Sequence, residues 1–129
     1  MPTFRLDKLV REKLPQIYAE LGQQITTRQL SPSEFRDALR EKLIEEASEP
    51  FDATDDQAVL SELADIQQVL DDLVAQYGFS REQLAAVQQK KLAKKGGFQN
   101  AVFVETVTCD DDDPWTAYYR KEPERFPEI

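Results

Sequence analysis

The sequence predicts a mainly α-helical fold, an antiparallel helical bundle, and three observations support this prediction. Only four of the 129 residues are glycine and 32% are charged, a composition typical of helical proteins rather than of sandwiches or disordered chains. Apolar residues from Leu63 to Tyr77 are spaced three and four residues apart, as in a helix that packs lengthwise on another. The segment SPSE at 31–34 has a capping serine, proline at the first helical position and glutamate three residues after the cap, which indicates a helix start.

The first third of the chain is expected to hold a helix and a short strand before the first long helix. Apolar residues in 7–21 have a mostly helical spacing, with a start near Pro15 and a stop at Gly22. The segment 24–30, QITTRQL, has an alternating pattern and several β-branched residues, so it predicts a short strand. The helix that starts at SPSE should run over 32–49, because the proline that follows cannot lie inside a helix.

The remainder is expected to hold two more helices, a strand and a tail. A second long helix is predicted over 55–77, antiparallel to the first because the turn between them is short. A further helix starts at the Ser80 cap and ends before a glycine pair. The segment 101–107, AVFVETV, predicts a second strand that could pair with the first. We therefore expect one domain over 1–108 and an acidic, aromatic tail over 109–129.

Charge and composition limit the partners of the protein. Sixteen basic and twenty-five acidic residues give a net charge of −9, which argues against general nucleic-acid binding. No segment has the apolar run of a signal peptide or a membrane span, so we expect no membrane partner. The single cysteine, Cys109, fits a reducing compartment. These features together predict a cytoplasmic protein.

Carboxylates occur on the two predicted long helices, at or beside their apolar faces. At about 100° of rotation per residue, Glu46 faces the apolar stripe of its helix, Glu49 lies at the edge, and Glu45 nearly faces solvent. On the next helix Glu62 and Asp65 are three residues apart and share one side. Antiparallel packing should therefore bring these two pairs together.

Four neighbouring carboxylates need positive charge, and the sequence leaves two sources open. Lysine and arginine side chains would make the carboxylates an ordinary solvated helix face, whereas a divalent cation would make them a metal site. The absence of histidine excludes zinc-type and Glu-x-x-His di-iron sites, and oxygen ligands suit Mg²⁺ or Mn²⁺. The lysines of 90–95 either favour the helix dipole at the end of their helix or form a phosphate clamp beside the metal.

The order of these motifs resembles a known enzyme superfamily. Glu46-x-x-Glu49, twelve residues and Glu62-x-x-Asp65 resemble the signature of the all-α nucleoside triphosphate pyrophosphohydrolases, which include MazG, the dimeric dUTPases and phosphoribosyl-ATP pyrophosphohydrolase. The resemblance covers about residues 4 to 107. Four blocks resemble the small phosphoribosyl-ATP pyrophosphohydrolase-like, MazG-related branch of this superfamily. They are KLVREKLPQI at 8–17, KLIEEASE at 42–49, ELADIQQVL at 62–70 and KKLAKKGGF at 90–98.

The resemblance implies a Mg²⁺-dependent enzyme that cleaves a nucleotide between the α and β phosphates and releases pyrophosphate. Its residues then take roles that we state as expectations: metal ligands Glu46, Glu49, Glu62 and Asp65; Glu49 also as the catalytic base; and phosphate contacts Lys42, Lys90, Lys91 and Lys94. Removal of noncanonical or excess nucleotides is the expected role. The alternatives are phosphoribosyl-ATP hydrolysis in histidine synthesis and a non-catalytic module that binds a nucleotide or a partner protein. The small core favours a homodimer or a higher homo-oligomer.

Overall fold

The computed structural model describes residues 1–49 and 55–129, and these are mainly helical, as predicted. The five helices of the described ranges are α1 Leu14–Glu20, α2 Pro32–Ser48, α3 Asp56–Gln76, α4 Arg81–Lys95 and α5 Pro114–Lys121. The chain divides into two compact units, Met1–Lys94 and Lys95–Ile129. The predicted turn at 51–54 lies outside the described residues.

Helix α2 begins and ends where local chemistry requires. The Ser31 hydroxyl accepts the Glu34 N–H at 3.3 Å, and the Glu34 carboxylate accepts the Ser31 N–H at 3.2 Å, so the predicted capping box is confirmed. These hydrogen bonds hold the pKa of Glu34 below its usual value, together with the nearby Arg28 guanidinium. At the other end Glu49 has extended backbone angles, φ −62° and ψ 134°, which are the angles that a residue before proline prefers.

Helices α3 and α4 also have side-chain caps. The Asp55 carboxylate accepts the N–H groups of Gln57 and Ala58, at 3.0 and 3.3 Å. Ser80 and Gln83 form a second reciprocal pair at the start of α4, with N–H to oxygen distances of 3.1 and 2.8 Å. Each cap is formed by residues within four positions of the helix start. The observed starts of α3 and α4 confirm the predicted ones.

Helices α2 and α3 form the one helix pair that packs along the described ranges. Glu46 lies near Glu62, whereas the Arg36 guanidinium lies 5.4 Å from the centre of the Tyr77 ring. The end of α2 thus meets the start of α3, and the start of α2 meets the end of α3. The two helices are therefore antiparallel.

The core of the described residues is small and lies between these two helices. Leu39 of α2 is 2% exposed and Val69 of α3 is 8% exposed, and no other described hydrophobic residue is as deeply buried. All residues of α4 are exposed, including Leu84, Val87 and Leu92. The packing of α2 on α3 is therefore the main hydrophobic contact of the described first unit.

The predicted two-stranded β element is wrong for the described chain. Residues 24–30 and 101–107 have no regular secondary structure, and no strand occurs in 1–49 or 55–129. Val102 and Phe103 are more than four-fifths exposed, at 82% and 87%. Two short strands form a stable ribbon only when an apolar face is covered, and β-branched composition alone does not supply that cover.

The second unit contains α5 and a cluster of aromatic rings. The Asp113 carboxylate caps α5 by accepting the Trp115 N–H at 2.9 Å. Ring centres in the cluster lie 5.0–6.0 Å apart, and the cluster consists of Trp115, Tyr118, Tyr119 and Phe126. The acidic, aromatic tail is thus ordered by contacts among its own side chains.

A search of the described helices for a membrane span finds none with the required length and apolar character.

Replacement of Leu39 by alanine should destabilise the protein by about 2–3 kcal/mol, because a buried leucine loses its contacts and leaves a cavity. Urea denaturation followed by circular dichroism measures this change. Ile44→Ala is the matched control, since Ile44 lies on the same helix and is 67% exposed, and it should cost less than about 0.5 kcal/mol. Equal losses for the two variants would contradict the assigned core.

Replacement of Ser31 by alanine should lower the free energy of unfolding by about 1 kcal/mol, because the Glu34 N–H loses its hydroxyl acceptor. The control is Ser33→Ala, which removes a hydroxyl 3.5 Å from the Ser31 hydroxyl but leaves both hydrogen bonds of the capping box in place. The same urea experiment applies. A Ser31→Ala variant as stable as Ser33→Ala would show that the cap does not contribute.

Candidate metal centre

Three carboxylates from two helices converge beside the small core. Glu46 of α2, with Glu62 and Asp65 of α3, each place one oxygen so that all three oxygens lie within 4.8 Å of one another. We call these three residues the acidic cluster. Glu62 and Asp65 share one side of α3 because they are three residues apart, and Glu46 reaches them because it faces the α2–α3 contact. All three are half-buried.

Glu62 is the member of the acidic cluster that most needs a positive partner. Its Oε2 atom is buried and accepts no hydrogen bond from the described residues. Desolvation raises the pKa of Glu62, and the neighbouring carboxylates of Asp65, Glu49 and Glu46 raise it further. A buried carboxylate oxygen without a partner is costly, so this atom is well suited to receive a cation.

Lys42 lies one helical turn before Glu46 and faces two carboxylates. Its Nζ atom is 3.2 Å from Glu46 Oε1 and 3.4 Å from Glu45 Oε2. Partial burial disfavours the charged ammonium, but the Glu46 and Glu45 carboxylates outweigh this effect and raise the pKa of Lys42. Lys42 is therefore a fixed positive charge beside the acidic cluster.

The segment before α1 supplies two further cations that the sequence analysis missed. The Arg11 guanidinium donates to Asp65 Oδ1 at 2.7 Å, and Lys8 Nζ lies 3.5 Å from Glu45 Oε1. Both residues belong to the block KLVREKL, in which two cations three residues apart surround Leu9 and Val10. That spacing was the available signal, but the block was used only for a helix prediction and for the family resemblance, and no role was assigned to its cations.

The charges around the acidic cluster do not balance. Five carboxylates face three cations: the carboxylates of Glu45, Glu46, Glu49, Glu62 and Asp65, and the cations of Lys8, Arg11 and Lys42. Negative charge therefore exceeds positive charge around the acidic cluster. A divalent ion would therefore relieve repulsion that the side chains alone leave in place.

Glu49 occupies a different position from the other predicted metal ligands. It is exposed, it follows the last residue of α2, and its N–H donates to the Glu46 carbonyl oxygen at 3.3 Å. It is not in the acidic cluster, although its charge acts on Glu62. Helix α2 ends before Glu49, so the helical count used to place this residue does not apply to it.

The predicted lysines of α4 lie away from charged partners. Lys90, Lys91 and Lys94 are exposed, and none forms an ion pair with a side chain in the described ranges. Helix α4 packs on no other helix there. Among the predicted phosphate contacts, Lys42 is therefore the one that the structure brings to the acidic cluster.

A small cavity adjoins the acidic cluster, and a larger groove lies elsewhere on α3. The cavity has a volume of about 80 Å³, and its walls combine Leu9, Val10, Leu39 and Val69 with the polar residues Arg11, Lys42, Glu46, Asp65, Gln68 and Asp72. This volume is well below that of nucleotide-sized pockets, which begin at about 300 Å³. The larger groove, about 260 Å³, contains an Arg81–Asp71 ion pair of 2.7 Å and no cluster of carboxylates.

The acidic cluster fits Mg²⁺ or Mn²⁺. It offers one carboxylate oxygen from each of three residues, and one of these residues, Glu62, also has a buried oxygen without a hydrogen-bond partner. Hard divalent cations prefer such oxygen donors, and Mg²⁺ commonly takes few carboxylates and completes its shell with water or phosphate.

Comparison of the chain with protein-family models, with curated proteins and with solved structures gives no significant match. The resemblance to the all-α nucleoside triphosphate pyrophosphohydrolases therefore rests on the four sequence blocks.

Proposed function

We propose that this protein is a Mg²⁺-dependent nucleoside triphosphate pyrophosphohydrolase that cleaves between the α and β phosphates and releases pyrophosphate. The observation that carries the proposal is the convergence of Glu46, Glu62 and Asp65, with Glu62 Oε2 buried and unpartnered. The four sequence blocks support the same activity. Removal of noncanonical or excess nucleotides in the cytoplasm is the role that we propose for it.

The residues around the acidic cluster divide the chemistry among them. Glu46, Glu62 and Asp65 would hold Mg²⁺, and the Glu49 carboxylate would remain outside this set of ligands. Bound Mg²⁺ would offset the charge of the polyphosphate and polarise its oxygens. Lys42 stays protonated and is available to a phosphate oxygen once Glu46 is engaged.

Glu49 is the carboxylate that we propose as the general base. It is exposed and therefore accessible to water, and it lies outside the convergent group that would hold the metal. A carboxylate that is not fully engaged can accept a proton from water as that water attacks phosphorus. This position agrees with a base at the entrance of the site rather than with a buried ligand.

A helical bundle formed by more than one copy of the chain would cover the exposed helices. All residues of α4 are exposed, and its apolar side chains Leu84, Val87 and Leu92 are 45%, 55% and 48% exposed. Such a bundle would bury the exposed apolar residues of α4. The contacts between copies of the chain would then determine where the lysines of α4 lie. We therefore propose a homodimer or a higher homo-oligomer, the interface of which includes α4.

Incubation of the purified protein with a panel of canonical and noncanonical nucleoside triphosphates and Mg²⁺ should release pyrophosphate from at least one member. The panel includes phosphoribosyl-ATP, because a preference for that compound would assign the protein to histidine synthesis instead. Omission of Mg²⁺ should stop the release. Mg²⁺-dependent nucleotide binding without any turnover would favour the non-catalytic module.

Replacement of Glu62 by glutamine should reduce pyrophosphate release by about a hundredfold or more, because loss of a metal ligand removes several kcal/mol of transition-state stabilisation. The matched control is Glu41→Gln on the exposed face of α2, which should keep the activity of the natural protein. Circular dichroism should show equal helix content for both variants. Full activity in Glu62→Gln would remove this residue from the site.

A further inference from the structure

We propose that Arg11 is an exchangeable cation: it neutralises Asp65 while the acidic cluster holds no metal ion, and it turns to a substrate phosphate when the metal binds. The second half of this inference rests on the proposed function, whereas the first half requires only the metal site. Arg11 would thereby couple metal binding to phosphate binding.

The position of Arg11 sets up a competition with the metal. Its guanidinium donates to Asp65 Oδ1 at 2.7 Å, and Asp65 contributes an oxygen to the acidic cluster. A divalent cation held by the same carboxylate would lie close to the guanidinium, and the two positive charges repel each other. The bound metal therefore favours a new partner for Arg11.

The surroundings of Arg11 allow the side chain to change partners without unfolding the segment. The Arg11 side chain is 58% exposed, whereas the preceding Leu9 and Val10 are half-buried and line the cavity with Leu39. The apolar contacts thus fix the backbone, and the long arginine side chain keeps rotational freedom at the surface. The exchange needs only rotation about side-chain bonds.

A phosphate group is the chemistry that suits the released guanidinium. Arg11 and Lys42 are the two cations that line the small cavity, and both also contact members of the acidic cluster. The planar guanidinium presents paired N–H donors that match phosphate oxygens. The cavity of about 80 Å³ beside these cations is small, and phosphate is a small anion whose oxygens both cations can bind.

Titration with Mn²⁺ alone, by calorimetry at low salt, tests the competition. Arg11→Ala should bind Mn²⁺ about two- to fivefold more tightly than the natural protein, which is the size expected for release of a largely exposed ion pair. The difference should shrink at about 1 M salt, where screening is strong. Loss of a merely supporting residue would change the affinity in the opposite direction.

Titration with inorganic pyrophosphate at saturating Mn²⁺ tests the second half of the proposal, the binding of phosphate by Arg11 when the metal is bound. Arg11→Ala should bind pyrophosphate about tenfold or more weakly, because it lacks a charge-assisted hydrogen bond to phosphate. Arg11→Lys should keep Mn²⁺ affinity close to that of the natural protein and recover part of the pyrophosphate affinity. Pyrophosphate is the chosen probe because its binding does not depend on the base.

The matched control is Arg81→Ala, since Arg81 makes an ion pair of the same length with Asp71, outside the acidic cluster. It should leave both affinities unchanged. Equal or weaker Mn²⁺ binding by Arg11→Ala, or unchanged pyrophosphate binding, would overturn the exchange while the proposed function stands. If the natural protein binds no Mn²⁺, or if Glu62→Gln binds it equally well, the metal site fails, and the exchange and the proposed function fail with it.

Discussion

The packing of α2 against α3 is the contact on which the rest of the described first unit depends. It buries Leu39 and Val69, and it is also the contact that forces Glu46 toward Glu62 and Asp65. Hydrophobic burial and charge repulsion thus act in opposite directions at one interface. Cations reduce the repulsion between the carboxylates at this interface, so the packing of α2 on α3 favours the binding of positive charge.

The sequence and the structure agree where the determinants are local. The Ser31, Asp55 and Ser80 caps fix helix starts within a few residues. Helical periodicity, together with the few residues between the two predicted long helices, predicts Glu46 beside Glu62. The position of Glu49 follows from the proline after it, a restriction that acts between adjacent residues.

Disagreement arises where the determinants are distant in sequence. The segments 24–30 and 101–107 have strand composition, but no described surface covers them, so composition alone predicted a β element that does not form. Arg11 reaches a carboxylate 54 residues away, and the local pattern around Arg11 does not identify that partner. The oligomeric assembly, the metal and the substrate also depend on contacts that a local sequence pattern does not determine, and they stay predictions.

The two-residue core has a consequence for the life of the protein in the cell. So little apolar surface is buried within the described part of one chain that the divalent ion proposed at the α2–α3 interface would contribute a large fraction of the total stability. The supply of that ion would then set how often the helix pair opens. Metal depletion would expose the chain to proteolysis more often, so the amount of this protein would follow the supply of the ion.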